Sequence, residues 1–153
     1  MRKQLFVFDL DFTLWDAGGT WCDCTYPPYK KHNGNVYDSA MAHIRLYPDV
    51  IDIFETLLKH KKKIAVASRT SAKANAKQLM ELLNIAPYVH FEEIFPGSKI
   101  QHFNNIRENS GIDFTHMVFF DDEQRNIDDV SGMNVECNLV RNGVQMSMIS
   151  PYL

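Results

Sequence analysis

The chain has 153 residues, 45% hydrophobic and 23% charged, the profile of one compact domain that can bury a core without disulfide or metal staples. Sixteen Lys and Arg against nineteen Asp and Glu give a formal net charge of −3, which excludes the basic footprint that nucleic-acid binding needs. Three cysteines, Cys22, Cys24 and Cys137, have the wrong parity for a secreted disulfide framework.

The first apolar run, Leu5 to Phe8, ends at Asp9 and falls far short of the roughly 7–15 residues of a signal h-region. No stretch approaches the roughly 18 apolar residues of a membrane span. The expectation is a cytoplasmic chain with reduced thiols and neither a membrane nor a nucleic-acid partner. Leu5–Phe8, Ile64–Ala67 and Met117–Phe120 are short and continuously apolar, the pattern of strands buried on both faces. Val135–Val140 reads as a further strand and Glu93–Phe95 as a short one. Helical stripes lie between them: Val50, Phe54, Leu57 and Leu58, then Ala72, Ala76, Leu79, Met80 and Leu83, then Ile100, Phe103 and Ile106. Asp49 and Ser98 are helix starts by residue type, and Gly111 is a stop.

Strands alternating with helices imply right-handed βαβ units. The predicted fold is therefore a doubly wound, mostly parallel α/β sheet, a Rossmann-like three-layer sandwich, with residues 1–153 forming one domain. Residues 16–47 break the alternation and are too few for a core of their own, so they read as a small hairpin or lid inserted after the first strand. Within them Asn33-Gly34 is a type I′ turn signal.

The residues just after each buried run carry the chemistry. The first strand ends in Asp9-Leu10-Asp11-Phe12-Thr13, the second in Ser68-Arg69-Thr70, and the Met117 run in Asp121-Asp122. Ligands of open α/β sheets bind at the carboxyl ends of strands, so these groups converge on one crevice. Four carboxylates sharing a small volume raise one another's pKa unless a cation intervenes. Hard oxygen ligands without His or Cys favour Mg²⁺. Ser68, Arg69, Lys99 and the backbone N–H groups after the first strand, at Leu10, can grip phosphate oxygens. The pattern suits a metal-bridged phosphoryl group with one carboxylate free to attack it.

The ordered set Asp9-x-Asp11-x-Thr13, Ser68, Lys99 and Asp121-Asp122 resembles the four motifs of the haloacid dehalogenase-like phosphatases. The longer matches Phe8–Trp15, Ala67–Ser71, Pro96–Lys99 and Phe119–Ile127 are similar to the magnesium-dependent phosphatase subfamily, from about residue 5 to about residue 145. The resemblance implies Asp9 as nucleophile and Asp11 as general acid and base. It also implies Mg²⁺ on the Asp9 carboxylate, the Asp11 carbonyl and the acidic pair. Asp122 is then the direct ligand, since Asn126 follows it at the family's interval, and Asp121 a direct or water-mediated one. Ser68, Arg69 and Lys99 would hold the transferring group. The implied substrates are phosphotyrosine on a protein, or phosphorylated sugars and glycated amines. A second acid at Asp11 has a purpose when an alkoxide leaves and none when a halide does, which argues against dehalogenation.

Two alternatives stand beside this. A receiver-like phosphoacceptor module gathers similar residues, but in receivers the Lys comes last, whereas Lys99 precedes Asp121-Asp122. A non-catalytic phosphate-binding protein needs a lost catalytic position, and none is visible. Cys22, Cys24 and His32 resemble a zinc set lacking its fourth ligand. Lys59-His60-Lys61-Lys62-Lys63 reads as a solvated helix end, and the six scattered histidines as surface or satisfied side chains. Trp15, Trp21 and the insertion's tyrosines read equally well as substrate contacts or as a minicore under the lid.

Overall fold

The computed structural model describes residues 2–153. Its strands are β1 (Leu5–Phe8), β2 (Trp15–Ala17), β3 (Lys30–His32), β4 (Asn35–Tyr37), β5 (His43–Leu46), β6 (Lys63–Ser68), β7 (Phe91–Ile94), β8 (Met117–Asp121) and β9 (Glu136–Leu139). The α-helices are α1 (Val50–Lys59), α2 (Lys73–Leu82), α3 (Lys99–Ser110), α4 (Gln124–Ser131) and α5 (Met146–Ile149). The main sheet runs β7-β6-β1-β8-β9 with every pair parallel, so the doubly wound architecture expected from the sequence is the one observed.

The alternation within each buried strand explains the two helical layers. Phe6 and Phe8 of β1, Ile64 and Val66 of β6, and Val118 and Phe120 of β8 face one core with Ile53, Phe54, Leu57, Leu79 and Ile149. Leu5, Val7, Ala65, Ala67, Met117 and Phe119 face the other, against Phe103, Ile106 and Val130. Thus α1, α2 and α5 cover one side, and α3 and α4 the other. Phe8 stacks on Phe120 at 5.1 Å between centroids and tilts against Phe54 at 5.4 Å. Each such ring stabilises the fold by about 1.5–3 kcal/mol through burial alone.

Ser98 caps α3, its side chain accepting from the Ile100 N–H, and Gly111 ends that helix at φ 71°. Asp49 precedes α1 but does not cap it; its Oδ2 accepts from the Met146 N–H at 2.9 Å and ties α5 to the start of α1. The strand read at Val135–Val140 is shorter, and the one at Glu93–Phe95 begins earlier, at Phe91.

The insertion is more than a hairpin: it forms a four-stranded antiparallel sheet in the order β2-β5-β4-β3. Asn33 and Gly34, at φ 51° and 80°, make the tight turn between β3 and β4, as their residue types demanded. Trp15, Ala17, Cys22, Val36 and Ile44 bury this sheet on the α1 and α2 side of the molecule.

Candidate active site

The crevice forms where the sheet order reverses around β1. After Phe8 the chain turns sharply, the Leu10 carbonyl accepting from the N–H groups of Thr13, Leu14 and Trp15, with Phe12 at φ 63°. This turn sets Asp9 and Asp11 at the mouth of a cleft of about 240 Å³, lined also by Trp21, Asp23, Ser68, Arg69, Thr70, Lys99, Glu123, Arg125 and Asn126. Leu10 does not line it: the residue is fully buried, with its side chain in the core.

Lys99 opens α3, yet it is fully buried, where a first-turn lysine is ordinarily solvated. Its Nζ lies 3.0 Å from Asp9 Oδ1 and 3.0 Å from Asp121 Oδ2, and donates to the Ala67 carbonyl. One ammonium thus joins the ends of β1, β6 and β8. Both oxygens of Asp121 are engaged: Oδ1 accepts from the Glu123 N–H at 2.8 Å, and Oδ2 from Lys99 and from Asn126 Nδ2 at 3.1 Å. Arg69 donates to Asn126 Oδ1 at 3.1 Å, so it is braced by an amide rather than by an acid. Ser68 is buried, and its Oγ accepts from the Thr70 N–H.

Asp9, Asp121 and Asp122 can each bring one carboxylate oxygen within 4.8 Å of the others. Burial pushes the Asp9 carboxyl up to about 7, with Lys99 opposing and Asp122 adding. Asp121 rises to about 6, by burial first and then by the charge of Asp9. Asp122 also rises, chiefly by burial. Three carboxylates with one ammonium between them leave a net negative charge that a small hard dication would balance. The donor set therefore fits Mg²⁺. Among the described residues this is the one group of His, Cys, Asp and Glu near enough to share an ion. Cys22 is buried, its thiol pushed up by burial and lying 3.7 Å from Thr70 Oγ1, while Cys24 and His32 are exposed.

Asp11 has a different setting. Its Oδ1 accepts from Trp15 Nε1 at 2.6 Å and from the Cys22 N–H at 2.9 Å. Burial raises its pKa, and these two donors oppose the rise. Trp15 and Cys22 as the props of Asp11 escape the motif reading, although Trp15 stands only four residues away. Glu123 and Arg125, paired at 2.8 Å on the cleft wall, escape it as well.

A buried lysine joining carboxylates from two strand ends to a third strand, with a further carboxylate beside them, defines a hydrolase site of the haloacid dehalogenase-like kind. Residues 2–153 match the family model described as "Acid Phosphatase". Magnesium-dependent phosphatase 1 of Homo sapiens is 42% identical over 149 residues, covering 96% of this chain and 83% of that protein. A HAD-like hydrolase superfamily protein of Schizosaccharomyces pombe is 39% identical over 133 residues, covering 78% and 76%. Among solved structures, a hydrolase from Streptococcus pneumoniae superposes with a TM-score of 0.73 at 13% identity, covering 99% and 98% of the two chains. L-2-haloacid dehalogenase from Xanthobacter autotrophicus gives 0.68 at 14%, covering 96% and 81%, and shares the fold alone. The chain belongs to the magnesium-dependent phosphatases of the haloacid dehalogenase-like superfamily.

Proposed function

We propose that residues 1–153 act as one phosphatase domain, with 16–47 as a small cap-like insertion, and that it hydrolyses phosphate monoesters through an aspartyl-phosphate on Asp9. The observation that carries this reading is the placing of Asp9 at the mouth of the cleft with Lys99 Nζ 3.0 Å from its Oδ1. One carboxylate oxygen is fixed by that ammonium, and the other is left to attack.

In the first half-reaction an Asp9 oxygen bonds to phosphorus as the ester P–O bond breaks, and Asp11 gives its proton to the departing oxygen. Burial raises the Asp11 pKa, the direction that favours the protonated form this step uses. In the second, Asp11 takes a proton from water as its oxygen bonds to phosphorus, and the Asp9 carboxylate departs. Ser68, Arg69, Lys99 and the Leu10 backbone hold the phosphoryl oxygens throughout, where positioning and charge account for most of the rate. Mg²⁺ would be held by Asp9, the Asp11 carbonyl and Asp122, with Asp121 a direct or water-mediated partner. When bound it neutralises carboxylate and phosphoryl charge. The engagement of both Asp121 oxygens by Lys99, Asn126 and the Glu123 N–H supports Asp122 as the direct ligand.

The substrate is a phosphorylated small molecule, such as a sugar or glycated-amine phosphate, or phosphotyrosine on a protein. The half-exposed Trp21 on the cleft rim supports a leaving group with an apolar face. The free thiols of Cys22, Cys24 and Cys137 suit a cytoplasmic place of action. The test is inorganic phosphate release from aryl phosphates, phosphotyrosine peptides and sugar phosphates, with Mg²⁺ or chelator, and with Asp9→Asn as control. Magnesium-dependent turnover that survives Asp9→Asn would refute the intermediate. Release limited to one phosphate per protein would favour a phosphoacceptor module.

A further inference from the structure

His102 lies on α3 three residues after Lys99 and is fully buried. Its ring meets only acceptors. Nδ1 lies 2.9 Å from the Ser98 carbonyl oxygen, and Nε2 lies 2.9 Å from that of Ser68 and 2.9 Å from that of Phe95. The ring also stacks on Phe95, 4.1 Å between centroids and 5° from parallel.

A neutral imidazole has one N–H and one lone pair. In either tautomer the lone pair would then face a carbonyl lone pair at 2.9 Å, and the ring is fully buried. The imidazolium has two donors and meets all three carbonyls, with Nε2–H shared between two of them. An aromatic face against a planar cation adds to this. Burial, with the charge of Lys99 behind it, lowers the ring's pKa below the ordinary histidine value, and the Ser98, Ser68 and Phe95 carbonyls oppose that shift without reversing it. Against it stands the geometry, in which both ring nitrogens face carbonyl oxygens alone. No charged side chain stands in the Phe95–Ser98 loop, and at the end of β6 the neighbouring Arg69 is directed to Asn126.

We propose that His102 is held as a buried imidazolium that clamps the end of β6 to the start of α3, and so fixes the separation of Ser68 and Lys99. Two cations of one helix then grip successive carbonyls of one strand end: Lys99 that of Ala67, and His102 that of Ser68. His102 touches no reacting atom; it is a positioning residue. Its positioning role rests on the reading of Ser68 and Lys99 as phosphoryl-holding groups, but its protonation state does not.

The test has two arms on the full chain with Mg²⁺. In the first, ¹⁵N-labelled histidine in the wild-type protein is followed by two-bond ¹H–¹⁵N correlation at neutral pH, with His102→Gln assigning the ring. Both His102 nitrogens are expected in the protonated range, with two slowly exchanging N–H protons. One nitrogen in the unprotonated range overturns the imidazolium, whether or not any substrate is turned over.

In the second arm His102→Gln, which keeps a donor, is compared with His102→Leu, which keeps none. Vanadate affinity is expected to fall about ten- to hundredfold in His102→Leu and less in His102→Gln, with Mg²⁺ affinity unchanged. Unchanged vanadate affinity in His102→Leu overturns the positioning role. Absence of wild-type turnover with an imidazolium intact would instead refute the proposed hydrolysis alone.

Discussion

The indole N–H of Trp15 and the backbone N–H of Cys22 converge on the same oxygen of Asp11, at 2.6 and 2.9 Å. Oδ1 is thereby spent on orientation, and Oδ2 is the oxygen left for the proposed acid and base role. Trp15→Phe keeps the ring's bulk and deletes the donor. It is expected to lower kcat about tenfold with alkyl phosphates and far less with p-nitrophenyl phosphate, whose leaving group needs little protonation. Equal losses on both substrates would show that Asp11 is not the acid that Trp15 orients.

Lys99, itself fully buried, is the countercharge for two carboxylates, one buried at the end of β8 and one at the mouth of the cleft. Lys99→Met removes that charge and leaves Asp9 and Asp121 to repel across the gap. We expect loss of activity together with a fall of about 3–5 kcal/mol in metal-free stability, read by urea denaturation. Mg²⁺ is expected to restore part of that loss, since it supplies positive charge to the same oxygens. A variant as stable as the wild type in chelator would contradict the pairing.

Protons and Mg²⁺ compete for these carboxylates. Asp9 sits near 7 and Asp121 near 6 in the folded chain, against 3.8 for an ordinary Asp. Between about 4 and about 7 the folded state therefore binds more protons than the unfolded one. This contribution is fully present below the ordinary value and is lost as pH rises through the folded ones, so the metal-free protein is less stable at about pH 8 than at about pH 5. Mg²⁺ takes the place of the protons, and its apparent affinity should rise about tenfold per pH unit for each proton displaced, levelling above about 7. Thermal denaturation with Mg²⁺ or with chelator checks this: the gap in Tm should widen with pH, and a constant gap would contradict it.

Gly143 has φ 81°, and a Cβ there would lie 2.1 Å from Cγ of the Tyr47 ring. The next residue, Val144, donates its N–H to the Thr13 carbonyl at 2.9 Å, so this loop braces the turn that presents Asp9 and Asp11. Gly143→Ala is expected to cost about 2–4 kcal/mol, from the left-handed backbone and the displaced ring together. A drop in kcat should accompany it. A melting temperature within a degree or so of wild type would show that Tyr47 moves aside freely.

The legible part of the chain was what periodicity and residue type report. Leu5–Phe8 reads as a strand buried on both faces because it has no polar alternation, and the acids beyond such strands meet wherever the strands are parallel neighbours. The insertion sheet was less legible because its strands are only three or four residues long and mix exposed with buried positions. His102 reads as an ordinary surface or satisfied residue, and Lys99 as a phosphoryl-holding one rather than as a buried tie between strand ends. Their roles arise from carbonyls at the end of β6 that come near only after the chain has crossed over, and no local pattern encodes that meeting. Trp15 differs in kind: its partner lies within the same turn, but the bond depends on Phe12 adopting positive φ, which a phenylalanine does not advertise.

The strand that leads into the insertion and the strand that leads out are hydrogen-bonded to each other, Trp15 opposite Leu46 and Ala17 opposite Ile44. The excursion therefore leaves and rejoins the parallel sheet through one narrow neck, and the ends of β1 and α1 remain where they are however long the excursion is. Closing a longer loop costs little additional entropy once its stem is zipped. The neck is thus a splice point, at which a larger cover could be grafted, or the β3–β4 hairpin trimmed, with Asp9 and Asp11 left in register.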